Sequence, residues 1–196
     1  MNSDDIRTLK ILEGLEDPNA PSQRDLAKNL NLSIGLVNAF VKRMVAKGYF
    51  KLSTIPRNRV KYILTPKGLA EKTRLTYEFV QYSIGFYRRA RERFSALFAS
   101  LAAAKVERVV LYGAVELTEI ASVSLAETPS MKLSAVVDPE RTGKRFLGHT
   151  VMGIEALHRF AWDRLVITDP VAAPAIRREL GAGGVPADKI VVVDPI

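Results

Sequence analysis

Apolar residues recur at helical spacing from the first turns of the chain. Ile6, Leu9, Ile11, Leu12 and Leu15 share one face of the segment Asp4–Leu15, which predicts an amphipathic helix. Asp17-Pro18-Asn19 ends it. Ser22, with Asp25 three places on, has the form of a capping box and opens a helix over QRDLAKNL, with Leu26, Ala27 and Leu30 inward. Asn31 suits the turn that follows, because asparagine tolerates a left-handed backbone. Ser33 caps a third helix running to about Lys47, with Val37, Phe40, Val41, Met44 and Val45 apolar, and Gly48 closes it. YFKLSTI and VKYILT then read as two strands joined by a basic tip, Pro56-Arg57-Asn58-Arg59.

Thr65-Pro66 begins a fourth helix, with threonine as cap and proline in the first turn. No strong breaker follows until about Lys105, apart from Gly68 and Gly85. Tyr77, Val80, Ile84, Tyr87, Phe94, Phe98 and Leu101 make a heptad seam with Arg91 in one slot. Phe79, Phe86, Ala90 and Leu97 add a second stripe. Such a helix needs more than one partner surface, so a homodimer through it is expected; a helix packed on its own wing domain is the other reading. Beyond Lys105 the pattern changes. Val109–Tyr112, Leu133–Val137, Arg164–Thr168 and Ile190–Val193 read as strands. Helices are expected from Glu116 to about Glu127, with Leu117, Ile120, Ala121 and Leu125 inward, and over Ile154–Phe160 and Ala172–Leu180. Continuous apolar strands alternating with helices predict a parallel sheet covered on both faces.

These elements predict an α/β protein of two domains. Residues 1–66 form a winged helix-turn-helix, 67–105 a linking and dimerisation helix, and 106–196 a small parallel-sheet, Rossmann-like domain. The 196 residues are ample for two cores. No apolar run approaches the roughly 18–20 residues of a membrane span, and MNSDDIRTLK has no apolar segment behind a basic start. A soluble, cytoplasmic protein without a membrane partner is expected. With no cysteine in the chain, disulfides, thiolate metal sites and a cysteine nucleophile are excluded.

Charge sharpens the division. Residues 1–105 carry a net +10 and residues 106–196 a net −2. Residues 21–61 hold nine Lys and Arg against Asp25 alone. A basic run can be no more than a solvated face, but this one coincides with a helix-turn-helix, whose second helix offers its first turns to base edges in the major groove. The outward candidates are Ser33, Gly35, Leu36, Asn38, Lys42 and Arg43. Asn38 suits adenine, Arg43 guanine, and Ser33 a base or a phosphate. Gly35 lets the backbone come close. Arg57, Asn58, Arg59 and Lys61 on the wing suit phosphates or the minor groove of double-stranded DNA. SQRDLAKNLNLSIGLVNAFVKRMVAKGYF followed by YILTPKGLAEKTRLTYEFV resembles the MarR-type winged-helix regulators associated with exopolysaccharide gene clusters, over about residues 20–90. The resemblance implies DNA binding and transcriptional control, with polysaccharide as the regulated pathway.

VVLYGAVELTEIA, from Val109 to Ala121, has the form of a strand, a glycine and a helix, as a dinucleotide site begins. The full glycine pattern needs glycine at 113, 115 and 118; the chain has Gly113, Val115 and Thr118. Asp138 stands 25 residues after Gly113, near where an acidic residue holds a ribose hydroxyl, and equally suits a turn before Pro139. Together with KLSAVVDPERTGKRFLGHTVMGIEAL, the stretch resembles the Rossmann-like segment of bacterial nucleotide-sugar-modifying enzymes of the polysaccharide epimerase and sugar acetyltransferase kinds. Gly143, Gly148 and Gly153 match its later turns, while Val115 and Thr118 depart from it.

A valine side chain at 115 stands where a pyrophosphate would lie. Gly113, Ala114, Val115, Glu116 and Asp138 are therefore expected to hold a compact effector such as a nucleotide sugar or sugar phosphate, and NAD(H) is not expected. The helix after Gly113 is expected to aim amides at an anion. The layout also resembles redox-sensing repressors that join a winged helix to a Rossmann domain, but their glycine-rich loop is not matched. His149 and His158 have no metal-ligand spacing, and no nucleophile elbow or phosphate-loop lysine occurs. The expected protein is a dimeric regulator and not an enzyme. A nucleotide-dependent sugar-modifying enzyme with an accessory DNA-binding arm, or a regulator with a purely structural second domain, are the alternatives.

Overall fold

The computed structural model describes residues 1–16, 22–55 and 59–196, in two compact units, Met1–Ile84 and Gly85–Ile196. In the first, α1 (Ser3–Glu16), α2 (Gln23–Asn29) and α3 (Ile34–Ala46) precede an antiparallel hairpin of β1 (Phe50–Ile55) and β2 (Arg59–Leu64). The apolar faces read from the sequence meet in one core. Ile11, Leu12 and Leu15 of α1, Leu26 of α2, and Val37, Phe40 and Met44 of α3 are buried there with Phe50 and Leu75. The capping box is formed, with Ser22 Oγ accepting from the Asp25 amide at 3.2 Å and Asp25 Oδ2 from the Ser22 amide at 3.2 Å. Asn31 is left-handed at φ 52°, which turns the chain from α2 into α3. Asp17-Pro18-Asn19 and the wing-tip residues Pro56, Arg57 and Asn58 lie outside the described residues.

The fourth helix, α4, runs from Pro66 to Ala103, roughly 57 Å at 1.5 Å per residue. Thr65 caps it: its Oγ1 accepts from the Gly68 amide at 3.0 Å and donates to the Gly48 carbonyl at 2.7 Å. Gly68 is needed for close approach, since a Cβ there would lie 2.1 Å from the Tyr49 carbonyl oxygen. The seam expected along α4 is not one surface. Tyr77, Val80, Ile84 and Tyr87 are exposed, but Phe94, Phe98 and Leu101 are buried in the core of the second unit with Ala90. That part of the helix covers a sheet, which takes up the apolar residues a partner helix would otherwise meet. Arg91, expected in a seam slot, pairs instead with Glu127.

The second unit holds a four-stranded parallel sheet of β3 (Arg108–Tyr112), β4 (Lys132–Val137), β7 (Arg164–Ile167) and β8 (Ile190–Val192), in the order β4-β3-β7-β8. A two-residue hairpin, β5 (Arg145–Phe146) and β6 (His149–Thr150), follows β4. Because side chains alternate along a strand, Val109 and Leu111 meet α4 and α5 (Glu116–Ala126), while Val110 and Tyr112 meet α6 (Ala173–Ala182) on the other face. The helix expected over Ile154–Phe160 is a 3-10 turn, Ile154–Arg159. The Trp162 indole N–H donates to the Leu157 carbonyl at 2.9 Å, which a continuing α-helix would have used itself. Helices α5 and α6 leave the adjacent strands β3 and β7 toward opposite faces. A crevice therefore opens at the carboxyl ends of these strands, where parallel sheets take ligands.

Candidate nucleic-acid interface and strand-end cleft

Helix α3 owes its start to Ser33, whose Oγ accepts the Leu36 amide at 3.2 Å. Ser33 is thus a cap, with its hydroxyl proton left to donate. Gly35, Asn38 and Lys42, spaced three and four apart, form one outward stripe; Gly35 and Lys42 are exposed and Asn38 half-buried. A Cβ on Gly35 would meet nothing within 4 Å, so the fold itself does not require glycine there. Leu36, expected outward, is half-buried and packs against the core. Arg43 leans toward α1, with its guanidinium 5.0 Å from the Phe40 ring centre and 3.8 Å from the Asp4 carboxylate. Both partners of that pair are exposed, so it holds Arg43 weakly. In the hairpin, Leu52 pairs with Tyr62 and Ser53 with Lys61. Exposed Lys61 therefore projects from the face opposite Leu52. Arg59 begins β2, while Arg57 and Asn58 lie outside the described residues.

The cleft at the strand ends has a volume of about 330 Å³. Gly113, Val115 and Asp138 from the expected ligand set line it, with Tyr112, Thr168 and Glu179 among the others. Gly113 has φ +99°, a conformation side chains resist, and this reverses the chain between β3 and α5. Thr118, read from the sequence as a departure from the glycine pattern, is buried. Its hydroxyl donates to the Gly113 carbonyl at 2.6 Å and lies 2.8 Å from Thr168 Oγ1, which donates to the Tyr112 carbonyl at 3.0 Å. Two threonine hydroxyls tie the turn to β7, a signal the glycine spacing did not carry.

Asp138 is held by the backbone on both oxygens. Its Oδ2 accepts the Ala114 amide at 2.9 Å and its Oδ1 the Glu140 amide at 3.0 Å. Arg141 Nη1 donates to the Ala114 carbonyl at 2.6 Å. The Ala114 amide, expected to face an anion, is therefore engaged by a carboxylate of the protein. Glu116 is exposed in the first turn of α5 beside Glu119, which opposes the positive end of the helix. Asp138, Glu140, Asp169 and Glu179 all line the cleft, and no Lys or Arg does among the described residues. Tyr112 donates to Glu179 Oε2 at 3.0 Å; burial, then that carboxylate, push its phenol above the usual range. A cleft of this charge disfavours phosphate and suits hydroxyl donors.

A larger cavity of about 480 Å³ opens at the amino ends of the strands, lined by Arg108, His158, Trp162 and Lys189, with Lys189 Nζ 4.7 Å from the Trp162 ring centre. Beside it Asp163 accepts from Arg108 Nη2 and from the Arg108 amide, both at 2.8 Å, and the guanidinium bond lowers its carboxyl to about 2. Nothing in the sequence pattern marked this cavity. His149 sits half-buried in the β5–β6 hairpin. Among the described residues no group of three or more His, Asp or Glu is placed to hold a metal ion.

Residues 4–51 match a family model described as winged helix-turn-helix DNA-binding. The first unit has the architecture of a winged helix-turn-helix, three helices followed by a hairpin. Residues 105–191 match a second model, described as C2185-like, N-terminal, and neither model spans half of the chain. No curated protein matches. Among solved structures, one titled "PigF with SAH" aligns at 14% identity, covering 98% of this chain and 56% of that one, with a TM-score of 0.25. An overlap that slight does not indicate a shared fold. In the first unit the sequence pattern predicts the helices and the hairpin, but not the inward turn of Leu36 or the tilt of Arg43. No helix among the described residues is long and apolar enough to cross a membrane.

Proposed function

We propose that the protein is a homodimeric transcription regulator that binds double-stranded DNA through residues 1–66. Residues 67–105 would link and pair the subunits, and residues 106–196 would sense a small-molecule effector. The observation that carries the reading is the winged helix-turn-helix match at residues 4–51, together with exposed Gly35 and Lys42 and half-buried Asn38 on one outward stripe of α3. The charge of the first half supports it. So does the resemblance to MarR-type regulators, which points to exopolysaccharide genes as the targets. The exposed stripe Tyr77, Val80, Ile84 and Tyr87 supports pairing through the first part of α4. The role assigned to the molecule is binding, not catalysis.

The effector site in this reading is the cleft at Gly113, Val115 and Asp138. Its carboxylates favour a polyhydroxylated ligand over NAD(H), a nucleotide sugar or a sugar phosphate. One observation favours the alternative of a purely structural Rossmann-like domain: Asp138 is already held by two backbone amides. Gel shifts on random and genomic duplexes test the core of the proposal. Binding should fall steeply with salt, as released counterions require. Arg57→Ala with Arg59→Ala should weaken all sequences, and Asn38→Ala should relax one base position by roughly 1–3 kcal/mol. No DNA binding at low salt ends the reading. Calorimetry with neutral sugars, sugar phosphates and NAD(H) separates the sensing domain from the structural one.

A further inference from the structure

Between α3 and the hairpin lies a groove of about 370 Å³. Asn38, Val41, Lys42, Val45 and Ala46 of α3 form one side of it, and Leu52, Tyr62 and Gln23 line the rest. Its form follows from strand register. Phe50, Leu52, Tyr62 and Leu64 share one face of the hairpin. Phe50 is buried at 3% exposure, but the same face runs past the core, and Leu52 is 54% exposed. Gln23 Nε2 donates to the Tyr62 hydroxyl at 2.5 Å, and the Tyr62 ring packs edge-on against Phe50 at 6.0 Å, so the floor is fixed. An apolar ledge thus stands beside the polar stripe of the recognition helix. Among the described residues that line it, Lys42 is charged and no carboxylate is present.

We propose that this groove takes the C5-methyl group of a thymine, so that Leu52 and Val45 are specificity-determining residues for DNA. The inference rests on the DNA-binding reading and deepens it. Asn38 carries the amide that pairs with the N6 and N7 edge of adenine. Every such adenine is paired with a thymine whose methyl lies in the same groove of the duplex. Asn38 and the apolar ledge line one groove, so a single A·T step satisfies the amide and sets its methyl against the ledge. Lys42, on the same wall, supplies the cation that a neighbouring phosphate requires. With one lysine and no carboxylate among the described residues, the lining matches a strand of DNA in charge.

The test uses the full chain and a duplex recovered from a random-sequence pool by binding. Each thymine of that duplex is replaced in turn by deoxyuridine, which removes the methyl and nothing else. One replacement, at or next to the position whose base preference is lost in Asn38→Ala, should weaken binding about four-fold, the factor for withdrawing one buried methyl at ~0.8 kcal/mol. In Leu52→Ala that penalty should vanish, and in Leu52→Met it should persist. Leu52 lies outside the core, and equal low-salt binding of unrelated duplexes by all three proteins checks their folding. Equal binding of every deoxyuridine duplex and its parent overturns the proposal. So does a full penalty retained in Leu52→Ala. A chain that enriches no duplex at all ends the DNA-binding reading itself and this inference with it.

Discussion

Gly113 sits at φ +99°, and nothing in its surroundings would collide with a Cβ, so backbone conformation alone sets the demand for glycine. Gly113→Ala should destabilise the second unit by about 1–2 kcal/mol, the cost of a side chain in that region, as read by urea unfolding. Val115→Gly should not create NAD binding in calorimetry, because the Ala114 amide stays with Asp138 and the cleft stays acidic. NAD binding gained by that single change would show that the valine alone had blocked it. Asp163 gives a pH signature. Its carboxyl lies at about 2 in the fold against 3.8 ordinarily. A lowered value gives stability that is present above pH 4 and lost as pH falls toward 2. Asp163→Asn should flatten the fall in stability across that window, measured by urea unfolding at pH 2.5 and pH 6.

Among the elements, α4 carries two different apolar surfaces on one helix. Ile84→Glu alters an exposed residue and should leave both units folded while shifting the protein toward monomer in sedimentation. Phe94→Glu places a charge among wholly buried residues of the second core and should unfold that unit, as circular dichroism and urea would show. The contrast separates pairing from packing; a monomeric unmodified protein at micromolar concentration would contradict the pairing reading. In α3, Gly35→Ala should leave the thermal midpoint no lower, since a Cβ has room and alanine favours helix, while DNA binding weakens. Unchanged DNA affinity in that variant would mean the backbone of α3 does not come close to the duplex.

For the whole molecule, charge was legible from the chain and its placement was not. The basic residues 21–61 predict salt-dependent binding; Lys42→Ala should lower the salt slope by about one phosphate contact. Residue order and spacing determined the helices of the first unit, their caps and the strands of the second. Helix faces, capping boxes and buried strands depend on neighbours a few residues away, and those are written in the sequence. Only tertiary structure decided that Phe94 and Phe98 belong to a core, since the period of a buried face and of a pairing seam is the same. It decided that Leu36 turns inward, that Asp138 holds the Ala114 amide 24 residues away, and that Thr118 in the first turn of α5 meets Thr168 just past the end of β7. It also built the groove beside Asn38, because that groove joins a helix face to a strand face. Local spacing cannot report contacts between residues far apart in the chain, and both the cleft and the groove are made of such contacts.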